Sequence, residues 1–468
     1  MSSENQAAPA TADSPLRVAV VGAGPAGFYT AEALLKAHED VAVDLFDRLP
    51  TPYGLVRFGV APDHQKIKSV TRLYERALKD PRTRLLGNVA FGRDIDNEEL
   101  ARHYHAVVYA VGSATDRRLD LPGEDLPGSH SATEFVAWYN GHPDYCDATF
   151  PLAASDVVVI GMGNVAIDVT RILAKSHEEL AATDMADHAI AALEDSGVRR
   201  ITMVGRRGPA EAKFTTKELR ELGELANADI EVDAAELVLT PTSAAAAAAD
   251  VTTAKNVEVM NDFALQHEIG KPRTVALRFM LSPVAIIGTD RVSGVRFERN
   301  ELVTGDDGRV SARGTGEFET IPAQLVLRSV GYRGAALPGL PFDERRGVIP
   351  NSAGRVLGPG GQTKPGSYVA GWIKRGPSGV IGTNKADAIE TVSALLEDFH
   401  AGKLSGREPA ALRPEAVDAL LAQRGAKPFG SQAWFDLDLA EIGAGEVQGR
   451  PRVKTVRWAD MLRGDERD

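Results

Sequence analysis

One cysteine, Cys146, occurs in 468 residues. A single thiol excludes an internal disulfide framework, a CxxC redox pair and a four-thiolate iron-sulfur or zinc centre, so redox chemistry here would have to reside on a bound organic cofactor. No run approaches the roughly 18 uncharged apolar residues of a spanning helix. The most apolar windows, near Val18 and Val157, have strand length and end in glycine, so an integral membrane protein is not expected. Residues 1–15 contain Glu4 and Asp13, no basic cluster and no apolar h-region, and Arg17 is the first cation. They read as a disordered leader, neither signal nor transit peptide, which predicts a cytoplasmic protein. Bases are outnumbered by acids, 53 to 65, for a formal net charge of −12. That balance argues against a general nucleic-acid or anionic-membrane role, which needs a dense cationic face. With 43% hydrophobic and 25% charged residues the chain is a soluble globular type, and its length suggests two or three domains.

Glycine-punctuated strands are what the chain does have. RVAVVGAGPAGFYTAEALLKAHEDVAVDLFDR reads as a strand (Arg17 to Val21), a glycine turn, a helix (about Ala26 to Ala37) and a second strand (Val41 to Phe46), a βαβ unit. From Val157, VVVIGMGNVAIDVTRILAKS repeats the pattern; an Ala-rich helical insert over about 178–193 and the strand RITMVGRR follow. HAVVYAVG and LVLRSVGYRG are matching strand-then-glycine exits, which suggests that the chain leaves one unit near 113 and returns near 330. The fold class expected is α/β, with two Rossmann-like dinucleotide-binding domains, the second inserted into the first. TPTSAAAAAAD (240–250) reads as a surface loop or short helix, and the tail beyond about 409 carries no legible motif.

In GAGPAG, Gly22 permits the tight turn, Gly24 lets a pyrophosphate approach the backbone, and Gly27 lets helix and strand pack closely, with phosphate at the helix N-terminus. Asp47 ends the second strand, twenty residues after Gly27, and suits a ribose hydroxyl. FAD and NAD both fit. The second turn has Gly161 and Gly163 with Ala166 in third place, and Arg206 and Arg207 stand where an acid would follow the partner strand. Two guanidiniums complement a ribose 2′-phosphate, favouring NADP(H), although a solvated basic turn would look the same. GWIKRGPSGVIGTNKADA sets Trp372 beside a glycine loop (Gly376, Gly379, Gly382) and a helix from about Asn384. It reads either as a flavin-facing loop or as an ordinary loop with a core tryptophan. His64 follows the loop-like LPTPYGLVRFGVAPDH; a loop histidine is usually only surface. His103 and His105 have the wrong spacing for a helical zinc pair, and no metal site is expected.

GAGPAGFYTAEALL, LPTPYGLVRFGVAPDH, GNVAIDVTRIL, VGRRGPAEAKFTTKELREL, RSVGYRG and GWIKRGPSGVIGTNKADA, spread from residue 17 to about 395, together resemble the adrenodoxin-reductase-type ferredoxin-NADP reductases. The resemblance implies an FAD-binding domain of 16–114 and 327–468, and an NADP-binding domain of 115–326. It implies FAD at Gly22, Gly24, Ala26, Gly27, Asp47, Leu55 and the Val89 backbone, with Trp372, Gly379, Val380 and Ile381 as the flavin loop. It implies NADP(H) at Gly161, Gly163, Asn164 and Val165, with Arg206 and Arg207 on the 2′-phosphate, Glu218 on the adenosine side and Gly379 also at the nicotinamide end. His64 and Glu221 match the pair near nicotinamide and flavin. Met162 departs from the family, where Asn or Gln is common, and would weaken a polar contact to the cofactor.

The activity so implied is ferredoxin-NADP reduction: hydride transfer between NADPH and FAD, then single-electron transfers to a ferredoxin-type iron-sulfur protein. Alternatives are an NADPH-dependent flavin reductase or diaphorase serving another acceptor, and a non-catalytic flavin or nucleotide sensor. An acidic ferredoxin would need a local cationic face on this acidic chain. Arg57, Lys66, Lys68, Arg72, Arg76 and Lys79, with Lys213, Lys217 and Arg220, are the candidates.

Overall fold

The computed structural model describes residues 15–266, 269–305 and 308–463, so all but Pro15 of the expected leader lies outside the described residues. Leu16–Val21 is a wholly buried apolar strand, as expected of a parallel strand covered on both faces. It pairs in parallel with Val41–Phe46 on one side and Ala106–Tyr109 on the other. Thr83–Leu86 extends the sheet beyond Val41–Phe46. Beyond Ala106–Tyr109 come Thr363–Val369 in parallel, then the antiparallel edge strands Arg355–Leu357 and Asn351–Ser352. Strands from both ends of the chain therefore complete this seven-stranded sheet.

The second sheet runs Ser129–Ser131, Leu325–Arg328, Asp156–Ile160, Arg200–Val204, Arg273–Arg278, Ala228–Val232, every pair parallel. Each sheet has its own apolar core, with Val20, Leu45 and Tyr74 in one and Phe135, Ile167 and Leu277 in the other. Between the sheets, Thr115–Asp116 pairs antiparallel with Tyr332–Arg333, where the chain crosses outward and back. Leu325–Arg328 is hydrogen-bonded inside the second sheet, two residues past the 326/327 boundary that the resemblance implies and in line with a return near 330. A three-stranded antiparallel sheet, Leu281–Gly288, Val292–Thr304 and Val310–Pro322, is appended to the second unit.

The Ala-rich insert is two helices, not one: His177–Ala181 and Asp187–Glu194. Between them Thr183 donates its hydroxyl to the Leu180 carbonyl and accepts from the Met185 amide, the local side-chain competition that ends helices. The stretch 240–250 forms the short helix Pro241–Ala249, capped by Thr240. The tail packs back on the first unit: Trp434, fully buried in helix Ser431–Val447, meets Tyr53 edge-on at 5.3 Å. Among the described residues no helix is long and apolar enough to cross a membrane.

Candidate active site

The first glycine turn is dictated by crowding. A Cβ at Gly27 would lie 1.9 Å from the Gly22 carbonyl oxygen, and one at Gly22 2.5 Å from that of Ala110. Gly22 also holds φ 111, a left-handed value that disfavours side chains. The helix Pro25–Ala37 opens at Gly24 without a side-chain cap, with Ala26 buried in its first turn. Asp47 accepts from the Ala23 amide (2.8 Å) and the Leu49 amide (2.9 Å), one on each carboxylate oxygen. Each oxygen keeps a lone pair for a further donor, and burial pushes this carboxyl up despite the two amides. Val89 gives its amide to the Asp47 carbonyl, leaving its own carbonyl as the backbone group that faces away from that bond. Leu55 starts the short helix Leu55–Phe58 after Gly54, whose Cβ would come within 3.0 Å of the Gly24 Cα, so the two loops touch.

The second turn repeats this arrangement. A Cβ at Gly161 would meet the Ser329 carbonyl oxygen at 2.2 Å, so each glycine turn lies against one of the two strand-then-glycine exits. Gly163 differs, with nothing within 4 Å of its would-be Cβ. The helix Asn164–Ala174 begins on Gly163 without a side-chain cap, and Val165 in its first turn is half-buried. Asn164 accepts from the Thr215 amide at 2.8 Å, which ties the turn to the helix Thr216–Gly223. Met162 points under the sheet, where a Gly205 Cβ would meet its Cγ at 2.6 Å. Arg206 is exposed and Arg207 half-buried, and neither has a carboxylate within ion-pair distance among the described residues.

The third constellation belongs beside the first. A Cβ at Gly371 would lie 2.5 Å from the Ala26 Cβ and 3.5 Å from Asn384 Oδ1. That brings the N-termini of Pro25–Ala37 and Thr383–His400 together, the second also uncapped, at Gly382. Trp372 donates from Nε1 to the Ser378 carbonyl and packs at 5.2 Å on Tyr332, the residue at which the chain returns between the sheets. Gly379 and Val380 are exposed and Ile381 half-buried; Val380, at 63% exposure, is an apolar side chain left open beside a helix start.

The two units meet at His64, which is buried. Its Nε2 lies 2.8 Å from Glu221 Oε2 and 3.4 Å from Glu218 Oε2, and Nδ1 is 3.9 Å from Asp168. Glu218 was expected on the adenosine side. It lies beside His64, three residues, about one helical turn, before Glu221 on one helix face. Arg171, 2% exposed on its side chain, makes a two-pronged contact to Asp63 at 2.8 and 3.0 Å and donates to Asp168 at 2.8 Å. Its Nη2 also lies 2.9 Å from His64 Nε2. A guanidinium only donates, so that contact needs a bare Nε2, whereas the Glu221 contact needs a proton on one of its two partners. The geometry thus places one proton between competing positions.

Burial pushes the Asp168 carboxyl up to about 6, against the pull of Arg171. Glu218 is raised too, by burial and then by the Asp168 charge. For Asp63 and Glu221 burial is outweighed, in the first by Arg171 and Lys175 and in the second by His64 and Arg171, and both are held below the usual carboxylate range. Ligand atoms of His64, Asp168 and Glu218 lie within 4.8 Å of one another. The Arg171 guanidinium, 3.7 Å from Glu218 and 2.8 Å from Asp168, already supplies the positive charge there.

Sequence reasoning missed Asp63, Asp168, Arg171 and Lys175. The available signal was Asp168 and Arg171, charges three apart on a helix that is otherwise apolar. Two candidates for the cationic face are also corrected. Arg57 is buried against Glu441 and Lys68 against Asp184, so neither is on the surface. Some helices start on capping side chains, as at Asp96 and Ser131, whereas the starts at Gly24 and Gly163 have none and leave first-turn amides without a side-chain acceptor. With open space at Gly163 and two unpaired arginines beyond it, the residues present fit dinucleotide phosphates.

Two parallel nucleotide-type sheets with glycine turns, joined at a buried histidine, define a two-dinucleotide oxidoreductase. The chain belongs to the pyridine nucleotide-disulphide oxidoreductase family, whose profile matches residues 16–261. It is similar to the NADPH-ferredoxin reductase FprA of Mycobacterium leprae, 48% identical over 451 residues that cover 95% of this chain and 97% of the relative. It is also 41% identical to the mitochondrial NADPH:adrenodoxin oxidoreductase of Arabidopsis thaliana, over 96% of this chain and 95% of the relative. The solved structure of Mycobacterium tuberculosis FprA in complex with NADPH matches with a TM-score of 0.91 at 47% identity, covering 96% of this chain and 99% of that one.

Proposed function

We propose that the protein is an FAD-containing NADPH-ferredoxin reductase acting in the cytoplasm, with an iron-sulfur protein as acceptor. The observation that carries this reading is the junction at His64: Asp168 and Arg171 stand on the helix that begins at the second glycine turn, and they reach His64 and Asp63 of the first unit. FAD belongs to the first unit, held by Gly22, Gly24, Ala26 and Gly27, by Asp47, by the Leu55 and Val89 loops, and by Trp372 with Gly379, Val380 and Ile381. NADP(H) belongs to the second, at Gly161, Gly163, Asn164 and Val165, with Arg206 and Arg207 meeting the 2′-phosphate. When bound, these cofactors supply hydride transfer and single-electron release.

The chain's own part is position and protons. Uncapped helix starts at Gly24 and Gly163 receive phosphate charge at their N-termini. Arg171 fixes Asp63 and Asp168 and so sets the pose of His64. His64 and Glu221 hold a proton at the Nε2 to Oε2 contact of 2.8 Å, next to a second carboxyl, Asp168, that titrates near neutrality. Such a store suits chemistry in which a hydride arrives, its two electrons leave one at a time, and the proton left behind must be taken up.

The test is anaerobic mixing of the flavin-loaded chain with NADPH or NADH, followed by ferredoxin. Rapid bleaching of the flavin band by NADPH, much slower bleaching by NADH, and onward reduction of ferredoxin are expected. A colourless protein that cannot take up FAD, or a loaded one that NADPH does not bleach, would overturn the reading. Bleaching without transfer to any ferredoxin would point to a different acceptor.

A further inference from the structure

A second polar centre lies away from His64, where the C-terminal strap crosses both units. A cavity of about 300 Å³ is lined there by Arg57, Lys68, Arg72, Asp184, Arg452 and Lys454. Five of these six are cations. The carboxylates bonded to them are three: Asp184 on Lys68, and Glu441 with Asp438 on Arg57 and Arg452. With all five protonated the surplus is two positive charges. Lys454 is buried, and its ammonium donates to the carbonyl of Arg57 and to both oxygens of Asn140, with Asp184 only at 3.5 Å. Arg57 Nε is buried without a hydrogen-bond partner, and the exposed Arg72 has no ion pair among the described residues. Burial, with a smaller push from neighbouring cations, holds the Lys68 and Lys454 ammonium groups below the usual lysine value in spite of Asp184.

We propose that this cavity is a binding site for one small phosphate dianion, free or as a simple phosphomonoester. Arginine forks and lysine ammoniums are the groups that take phosphate oxygens, two net charges match a dianion, and the volume sits at the small end of ligand sites. The lining comes from three places: the first unit (Arg57, Lys68, Arg72), the second (Asp184) and the strap (Arg452, Lys454). A bound dianion therefore ties all three together, four residues from His64 on the segment that carries Lys68. None of the groups invoked belongs to the dinucleotide sites, so the proposal stands or falls apart from the assigned activity.

Calorimetric titration of the full-length protein with inorganic phosphate, against chloride at matched ionic strength, tests it, with and without saturating NADP+ to discount Arg206 and Arg207. One phosphate per chain is expected to survive NADP+. Arg72→Gln, an exposed change compatible with folding, should weaken it about tenfold. A parallel titration with glycerol 2-phosphate names the source: tighter binding than inorganic phosphate assigns a phosphomonoester, weaker binding the free ion. No heat beyond the chloride control, or phosphate binding unchanged in Arg72→Gln, would overturn the proposal.

Discussion

Asp63, Asp168, Glu218 and Glu221 converge on one arginine and one histidine in a space with little water, and their charges cannot all be carried at once. Arg171 bonds Asp63 through two nitrogens and Asp168 through one, and burial outweighs that single bond, so Asp168 is the carboxylate that holds a proton. With its value raised to about 6 from 3.8, the folded chain keeps that proton over a range in which the unfolded chain has released it. Asp168 therefore leaves stability untouched below about pH 4, and its contribution turns unfavourable as pH rises through about 6, by at most about 3 kcal/mol. Asp63 runs the other way, since its depressed value adds stability that is lost only in acid. Urea unfolding of the wild type and Asp168→Asn at roughly pH 4.5 and 7.5 separates the two: the variant should gain on the wild type by on the order of 2 kcal/mol at the higher pH. A gap that stays constant with pH would mean that Asp168 is ionised throughout. His64 and Glu221 were legible in the sequence only through resemblance. Arg171 showed there only its spacing from Asp168, because its partners at Asp63 and His64 lie more than 100 positions away.

Helices and strands were far more legible, and for a plain reason. Fully buried parallel strands are short apolar runs that end in glycine, so Val41–Phe46 falls where its sequence pattern puts it and Leu16–Val21 within one residue. The insert misread as one helix fails at Thr183 and Asp184, where side chains compete with the helical backbone and reach toward Lys68. The glycine turns separate structural from ligand-facing need. At Gly27 a methyl would strike the Gly22 carbonyl oxygen at 1.9 Å, so Gly27→Ala should lose FAD and fold poorly, by several kcal/mol on the scale of overpacking and strain. At Gly163 the methyl meets open space. Gly163→Ala should therefore unfold within about 1 kcal/mol of the wild type. If that turn receives the pyrophosphate, its KM for NADPH rises about tenfold or more while FAD content stays full. A stable Gly163→Ala protein with unaltered KM would remove the second turn from the cofactor site.

Over the whole molecule, net charge and local charge point in opposite directions. The chain carries −12, yet exposed Lys66, Arg72 and Arg76 lie just after His64, and exposed Lys213 and Arg220 just around Glu218 and Glu221. None of these five has an ion pair among the described residues, so their fields are not cancelled locally. The sequence showed the clusters but not which members were spent: Arg57 and Lys68 are neutralised by Glu441 and Asp184 from remote segments. An acidic partner guided to the junction by the remaining five would feel them over about 10 Å at 0.1 M salt and over much less at 1 M. Ferredoxin reduction should then slow steeply as salt is raised, while flavin bleaching by NADPH changes little. Arg220→Glu should lower the low-salt rate with ferredoxin by about tenfold and flatten its salt dependence, leaving the bleaching step intact. Equal salt slopes in Arg220→Glu and wild type would show that the partner approaches over another face.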